Sequence, residues 1–265
     1  MLHQRQRDVT IPHVVPNAGL QAYYRKRLQG MIEAMADSIA WWVSQAYRRK
    51  PPVMAQDETP ADALRRVIRK LERRWTRNFD ELARKLSPQF VARNGRLSDR
   101  QFMEHLKKAG FSIEFQMTPA MRDIARATVA ENVSLIRSIP RQHFTQVEGM
   151  VMRSVQAGRD LGTLSQDLQH QFGVTKRRAA LIARDQNNKA TSSFNRARQQ
   201  ELGIEEAIWR HSHAGKTPRP THVDMDGKVY KVDEGMWDED EGRYVWPGQL
   251  IGCRCTSKSL IRGFM

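Results

Sequence analysis

The chain has 265 residues, with 44 Lys and Arg against 29 Asp and Glu, for a formal charge of +15. Two cysteines are too few for a disulfide framework, and no apolar run approaches the length that spans a bilayer, so a disulfide scaffold and a membrane protein are both excluded. No short apolar stretch is followed by a cleavage site, and the sequence therefore reads as soluble and unexported, long enough for one large or two modest domains.

The charge is uneven. Residues 210–265 hold 9 basic and 8 acidic residues, so nearly all of the positive surplus lies in residues 1–209. Such a field favours polyanions, either nucleic acid or an acidic protein surface, although a merely solvated helical exterior has the same composition.

Residues 1–17 contain Pro12 and Pro16 and no periodicity, which predicts an extended arm. A basic helical region, 18–115, follows. Leu28, Ile32, Met35, Ile39 and Trp42 fall at spacings of three and four, the stripe of an amphipathic helix, with the Trp41–Trp42 pair expected to pack inward. Pro51 and Pro52 end that helix, and a loop runs to Pro60. A second stripe, Leu64, Ile68, Leu71, Trp75, Phe79 and Leu82, predicts a helix over 61–86. Its polar face carries Arg65, Arg66, Arg69, Arg73, Arg74 and Arg77, a density that suits phosphate contacts or a carboxylate-rich partner. Ser98 is placed to cap a shorter helix ending at Gly110.

Thr118–Pro119 has the form of a helix start and opens a third region, 116–203. Ser138–Ile139–Pro140 reads as an interruption, Gly158–Gly162 as a corner, and Thr163 and Thr175 as caps of a short helix and then a long one closed by Gly203. The long helix carries an unusually polar block at Arg184, Asp185, Gln186, Asn187 and Asn188. Asp185 and Lys189 have the spacing of an intrahelical ion pair. The alternative is that Arg184 and Asp185 face the C-terminal segment and orient it.

After Gly203 the period changes from helical to alternating, through Ala207, Trp209 and His211 and again over 228–232 and 256–261. The fold class is therefore α+β, a mostly α-helical N-terminal bundle followed by a small C-terminal antiparallel β module over 204–265. This module holds both cysteines and three of the eight histidines. Cys253 and Cys255 are two apart, as are His211 and His213, so each pair shares a face of an extended strand. Cys253 and Cys255 with His211 and His222 make a possible tetrahedral set for zinc, which suits soft thiolates and neutral imidazoles; ordinary buried cysteines are the alternative. A disulfide between residues so close is disfavoured by its geometry. Asp226–Gly227 reads as a two-residue hairpin turn between Val223 and Val229. The run 238–241 reads as an acidic hairpin tip or loop, and Trp246–Pro247–Gly248 as a turn with an aromatic anchor.

Taken together, Ser138–Ile139–Pro140, Ile182–Ala183–Arg184–Asp185–Gln186, Trp209, His211, Arg219, His222, Asp226–Gly227, Pro247–Gly248 and Cys253–Arg254–Cys255 resemble the phage Mu F-like minor head protein family, also called the head morphogenesis family. The resemblance spans about residues 120 to 260 and leaves 1–115 unmatched. It implies a non-enzymatic minor capsid protein of a tailed bacteriophage, located in the virion at the portal vertex or inside the head. The implied partners are the portal protein, the major capsid protein and packaged double-stranded DNA, with no membrane. Two other readings stay open. One is a metal-dependent nuclease or hydrolase using His211, His222, Asp224, Asp226 and the cysteines; the other is a nucleic-acid-binding protein outside any particle.

Overall fold

The computed structural model describes residues 7–48, 59–158, 160–215 and 217–264. Its elements are β1 (Arg7–Ile11), α1 (Ala18–Arg48), α2 (Pro60–Lys108), α3 (Pro119–Gln156), α4 (Leu161–Glu201), β2 (Glu206–Arg210), α5 (Pro220–Asp224), β3 (Val229–Lys231), β4 (Met236–Asp238), β5 (Arg243–Val245) and β6 (Thr256–Phe264). The α+β class holds. The expected stop at Pro51–Pro52 and the loop after it lie outside the described residues. None of the helices among the described residues is long and apolar enough to cross a membrane.

Side-chain caps open the four long helices, of which the sequence reading placed only Thr118, and the helices end later than it suggests. The Asn17 side-chain carbonyl accepts the amide of Leu20 at 2.8 Å, Thr59 accepts that of Asp62 at 3.1 Å, and Thr118 accepts that of Met121 at 3.3 Å. Three expected breaks are absent. Helix α2 runs on through Pro88, with Ser98 buried inside it rather than capping a new helix, and α3 runs through Pro140. The cap of α4 is Asp160, whose carboxylate accepts the amides of Gly162 at 2.8 Å and Thr163 at 3.3 Å. Thr175 instead lies mid-helix, its hydroxyl turned back onto the carbonyl of Gln171 at 3.0 Å. A hydroxyl bonded to its own preceding turn no longer competes with the backbone ladder, so a local cap signal fails to end the helix.

Two compact units interleave along the chain: residues 1–21, 89–129 and 184–265 form one, and 22–88 with 130–183 form the other. The second unit is helical, with Leu28, Ile32, Met35, Ile39 and Val43 of α1 and Ile68, Trp75 and Phe79 of α2 buried as their spacing predicts. Its buried Tyr24 hydroxyl donates to Asn132 at 2.7 Å, and Lys176 pairs with Glu33 at 2.7 Å. The tryptophan pair departs from expectation. Trp41 and Trp42 touch edge to face but are 55% and 38% exposed, because residues 39 and 43, not 41 and 42, occupy the buried stripe of α1.

In the first unit a four-stranded antiparallel sheet has the order β1-β6-β2-β3, and β4 and β5 form a separate hairpin. Residues 7–11, read as part of an extended arm, are the edge strand of this sheet, with Ile11 opposite Ser259 and Val9 opposite Ile261. Ile11, Val14, Phe102, Leu106 and Ile204 make one apolar cluster, and Ala207, Trp209, Tyr230, Val232, Val245 and both cysteines make another. Asp226–Gly227 is a turn but not a two-residue hairpin. The one-turn helix α5 precedes it where a strand through Val223 was expected, and the amide of Gly227 donates to the Trp209 carbonyl at 2.9 Å. The acidic run does form a hairpin tip, between β4 and β5.

Candidate metal centre

The end of α4 and the strand-built segment are joined by side chains from the polar block. The Asp185 carboxylate accepts the amide of Gly252 at 2.6 Å while also pairing with Lys189 at 3.3 Å, so both sequence readings of this residue are realised. Asn188 donates to the carbonyl of Cys253 at 3.0 Å, Gln199 donates to the hydroxyls of Ser257 and Ser259, and Ser192 bonds the carbonyl of Pro247. Asn187, the fourth polar residue, is held by Asn94 and by the carbonyl of Asn17. A polar helical block is therefore buried because it binds a loop backbone that has few partners of its own.

That loop, 246–255, carries the cysteines. Gly248 has φ of +79°, and a Cβ there would lie 2.9 Å from the Cβ of Ser192, so only glycine fits against α4. Its amide donates to the sulfur of Cys253 at 3.3 Å. Helix α5 supplies the third group. Pro220 at its first turn presets the helical backbone, and His222 turns inward, 2% exposed.

The three side chains converge. His222 Nδ1 lies 3.4 Å from the Cys253 sulfur and 3.7 Å from the Cys255 sulfur, and the ligating atoms all fall within 4.8 Å of one another. Zn–S bonds of about 2.3 Å and Zn–N bonds of about 2.0 Å at tetrahedral angles require an N···S separation of about 3.5 Å, so the donor set fits such an ion. The far nitrogen, Nε2, donates to the Asp238 carboxylate at 3.1 Å, which directs the Nδ1 lone pair at the two sulfurs. Asp238 is fully buried, and its other oxygen accepts the hairpin-tip amides of Asp240 at 3.0 Å and Glu241 at 3.4 Å. The indole of Trp209 is fully buried in the same apolar cluster as both cysteines. A hydrogen bond from Cys255, reinforced by His222, pulls the Cys253 thiol well below the ordinary thiol range, and the same bond to Cys253, with burial, pushes Cys255 up. The pair thus holds one thiolate readily.

One wall of this cluster opens onto a cavity of about 790 Å³. Arg184, Arg219 and Arg254 line it with His211, Ser212 and Thr217, and no carboxylate stands among its described lining residues. His211, proposed from the sequence as a ligand, is on this wall and outside the cluster. Its amide donates to Asp226 at 2.9 Å and its ring stacks edge to face on His213 at 4.8 Å; β2 ends at Arg210 and His213 has a φ of +47°, so strand parity no longer carries these two side chains to the cysteines. Asp226 is held below the usual carboxylate range, first by that amide and then by His213. Asp224 and Asp226 are likewise outside the cluster, so the carboxylates of the hydrolase reading do not meet the thiols. The missed residue is Asp238. In the sequence it looks like one more charge of an acidic tip; the available signal was its place at the end of a strand, just where a side chain can cap the turn that follows.

The six arginines of α2 are exposed. Arg65 lies 3.8 Å from Asp62, and Arg74 sits over the Trp75 ring at 5.9 Å.

A helix that holds a Cys/His-clustered antiparallel module by its polar face defines an α+β domain of the kind the motif series pointed to. Residues 145–258 match the family model described as Phage Mu protein F like protein. The match includes His211, His222, Asp238 and both cysteines but not Ser138–Ile139–Pro140. A protein of Haemophilus influenzae, described as an uncharacterized protein, is 26% identical over 248 residues, covering 89% of this chain and 52% of its own length. The chain thus spans about half the length of that curated relative. No solved structure matches.

Proposed function

We propose that the chain is a minor head protein of a tailed bacteriophage, acting without catalysis during particle assembly, at the portal or inner shell and in contact with packaged DNA. The observation that carries the reading is the family match over 145–258. The exposed arginines of α2 support the DNA contact, since one helical face of guanidiniums follows a phosphate backbone. In this reading His222, Cys253 and Cys255 hold a zinc ion whose role is to fix the loop 246–255, chemistry for which two thiolates and an oriented imidazole are suited.

The hydrolase alternative draws on the cavity beside the cluster, but no carboxylate stands among the described residues that line it to serve as base. The test is direct. Purified heads and assembly intermediates are probed for the chain by mass spectrometry, and the isolated chain is titrated with duplex DNA at several salt concentrations. Association with particles, together with a salt slope that falls by roughly 5 when the six arginines are replaced by alanine, is the expected result. Absence from heads at every stage, or metal-stimulated DNA cleavage by the isolated chain, overturns it.

A further inference from the structure

We infer that the cavity beside His222, Cys253 and Cys255 is a phosphate site, in which a phosphate group completes the coordination of the bound metal and is clasped by Arg184, Arg219 and Arg254. The inference rests on the metal reading above and adds its ligand. Three protein donors leave one position of a tetrahedral ion unfilled, and the wall they share with the cavity is where an outside ligand can enter.

Charge decides what kind of ligand. Two thiolates and a neutral imidazole balance a divalent ion, so the centre itself carries no surplus. The three arginines do. All are half-buried, none is in a salt bridge among the described residues, and no carboxylate stands among the described residues lining the cavity. The Nε of Arg184 is buried without a partner, and Arg219 is oriented by giving one N–H to the carbonyl of Ile251 at 3.1 Å. The acidic neighbour of Arg184 is Asp185, whose carboxylate is already engaged by Lys189 and the Gly252 amide, and the planar forks of the three guanidiniums match the oxygens of phosphate. Ser212 and Thr217 add hydroxyl donors. The volume, about 790 Å³, is in the range of sites that take small ligands and exceeds what one phosphate fills, leaving room for the group that bears it.

The experiment uses the full chain loaded with cobalt(II), whose thiolate charge-transfer absorption reports binding and whose d–d bands report the ligand set. Inorganic phosphate is titrated against sodium chloride of equal ionic strength and against acetate. Saturable movement of the d–d bands by phosphate alone is expected. Arg184→Gln combined with Arg254→Gln, and separately Arg219→Gln, retains cobalt absorption and thermal unfolding but requires at least tenfold more phosphate. Competition by a 5′-phosphorylated oligonucleotide, absent with its unphosphorylated twin, assigns the group to a nucleic-acid end; competition by neither assigns it to free phosphate. Cobalt-loaded protein whose bands ignore phosphate, or respond equally to acetate, overturns the phosphate site while leaving the metal centre standing. Failure to bind cobalt at all overturns both.

Discussion

Asp238→Asn isolates the least expected feature of the centre. The side chain is fully buried and divides its oxygens between two tasks: Oδ2 receives the His222 Nε2 proton at 3.1 Å, and Oδ1 receives the hairpin-tip amides. Asparagine keeps one carbonyl oxygen for the amides but then presents an N–H to Nε2, a donor against a donor. The imidazole loses its charged partner and, with it, both its fixed tautomer and some of its basicity. Loss of such a partner weakens metal binding by about 10- to 100-fold, which is about 1.4 to 2.7 kcal/mol. Competition between the protein and a chromophoric zinc chelator measures this directly. Asp240→Asn, on the exposed side of the same tip, is the control and changes nothing. Zinc affinity that stays within about twofold of the parent in a folded Asp238→Asn protein would refute the assignment of Asp238 as the orienting group.

Replacing Cys253 and Cys255 with serine lowers the resistance of residues 204–262 to protease while helical circular dichroism persists; unchanged resistance counts against any metal there. Gly248→Ala forces a Cβ into Ser192 and strains a positive φ, and is expected to cost about 1–3 kcal/mol in urea denaturation, with no loss meaning that the loop re-seats freely. Burial lowers His143 from an ordinary 6.5 to about 4. The unfolded chain then binds the extra proton between those values, so this residue's contribution to stability is complete above pH 6.5 and is lost as pH falls towards 4, by up to about 3 kcal/mol. The slope of stability against pH in that window flattens in His143→Gln, and an unaltered slope refutes the assignment.

Much of the fold was legible because its signals are local. The stripes of α1 (Trp42 apart) and α2, the helix start at Thr118, the close at Gly203 and the change of period after it depend only on neighbours within a turn or a strand, and the structure carries them. Ser98, Pro140 and Thr175 misled for the same reason. Each carries a local stop signal that long, packed helices override. Edge strand β1 was illegible since its partner lies some 250 residues away in β6, a pairing that no periodicity reports. At the centre, chemistry nominated Cys253, Cys255 and His222 from residue type alone, yet only three-dimensional packing could separate His222 from His211 and draw Asp238 out of an acidic tip into the interior. Residue type determines which atoms can bind an ion, whereas convergence depends on where three distant loops are held, and here α4 holds one of them through Asp185, Asn188 and Ser192.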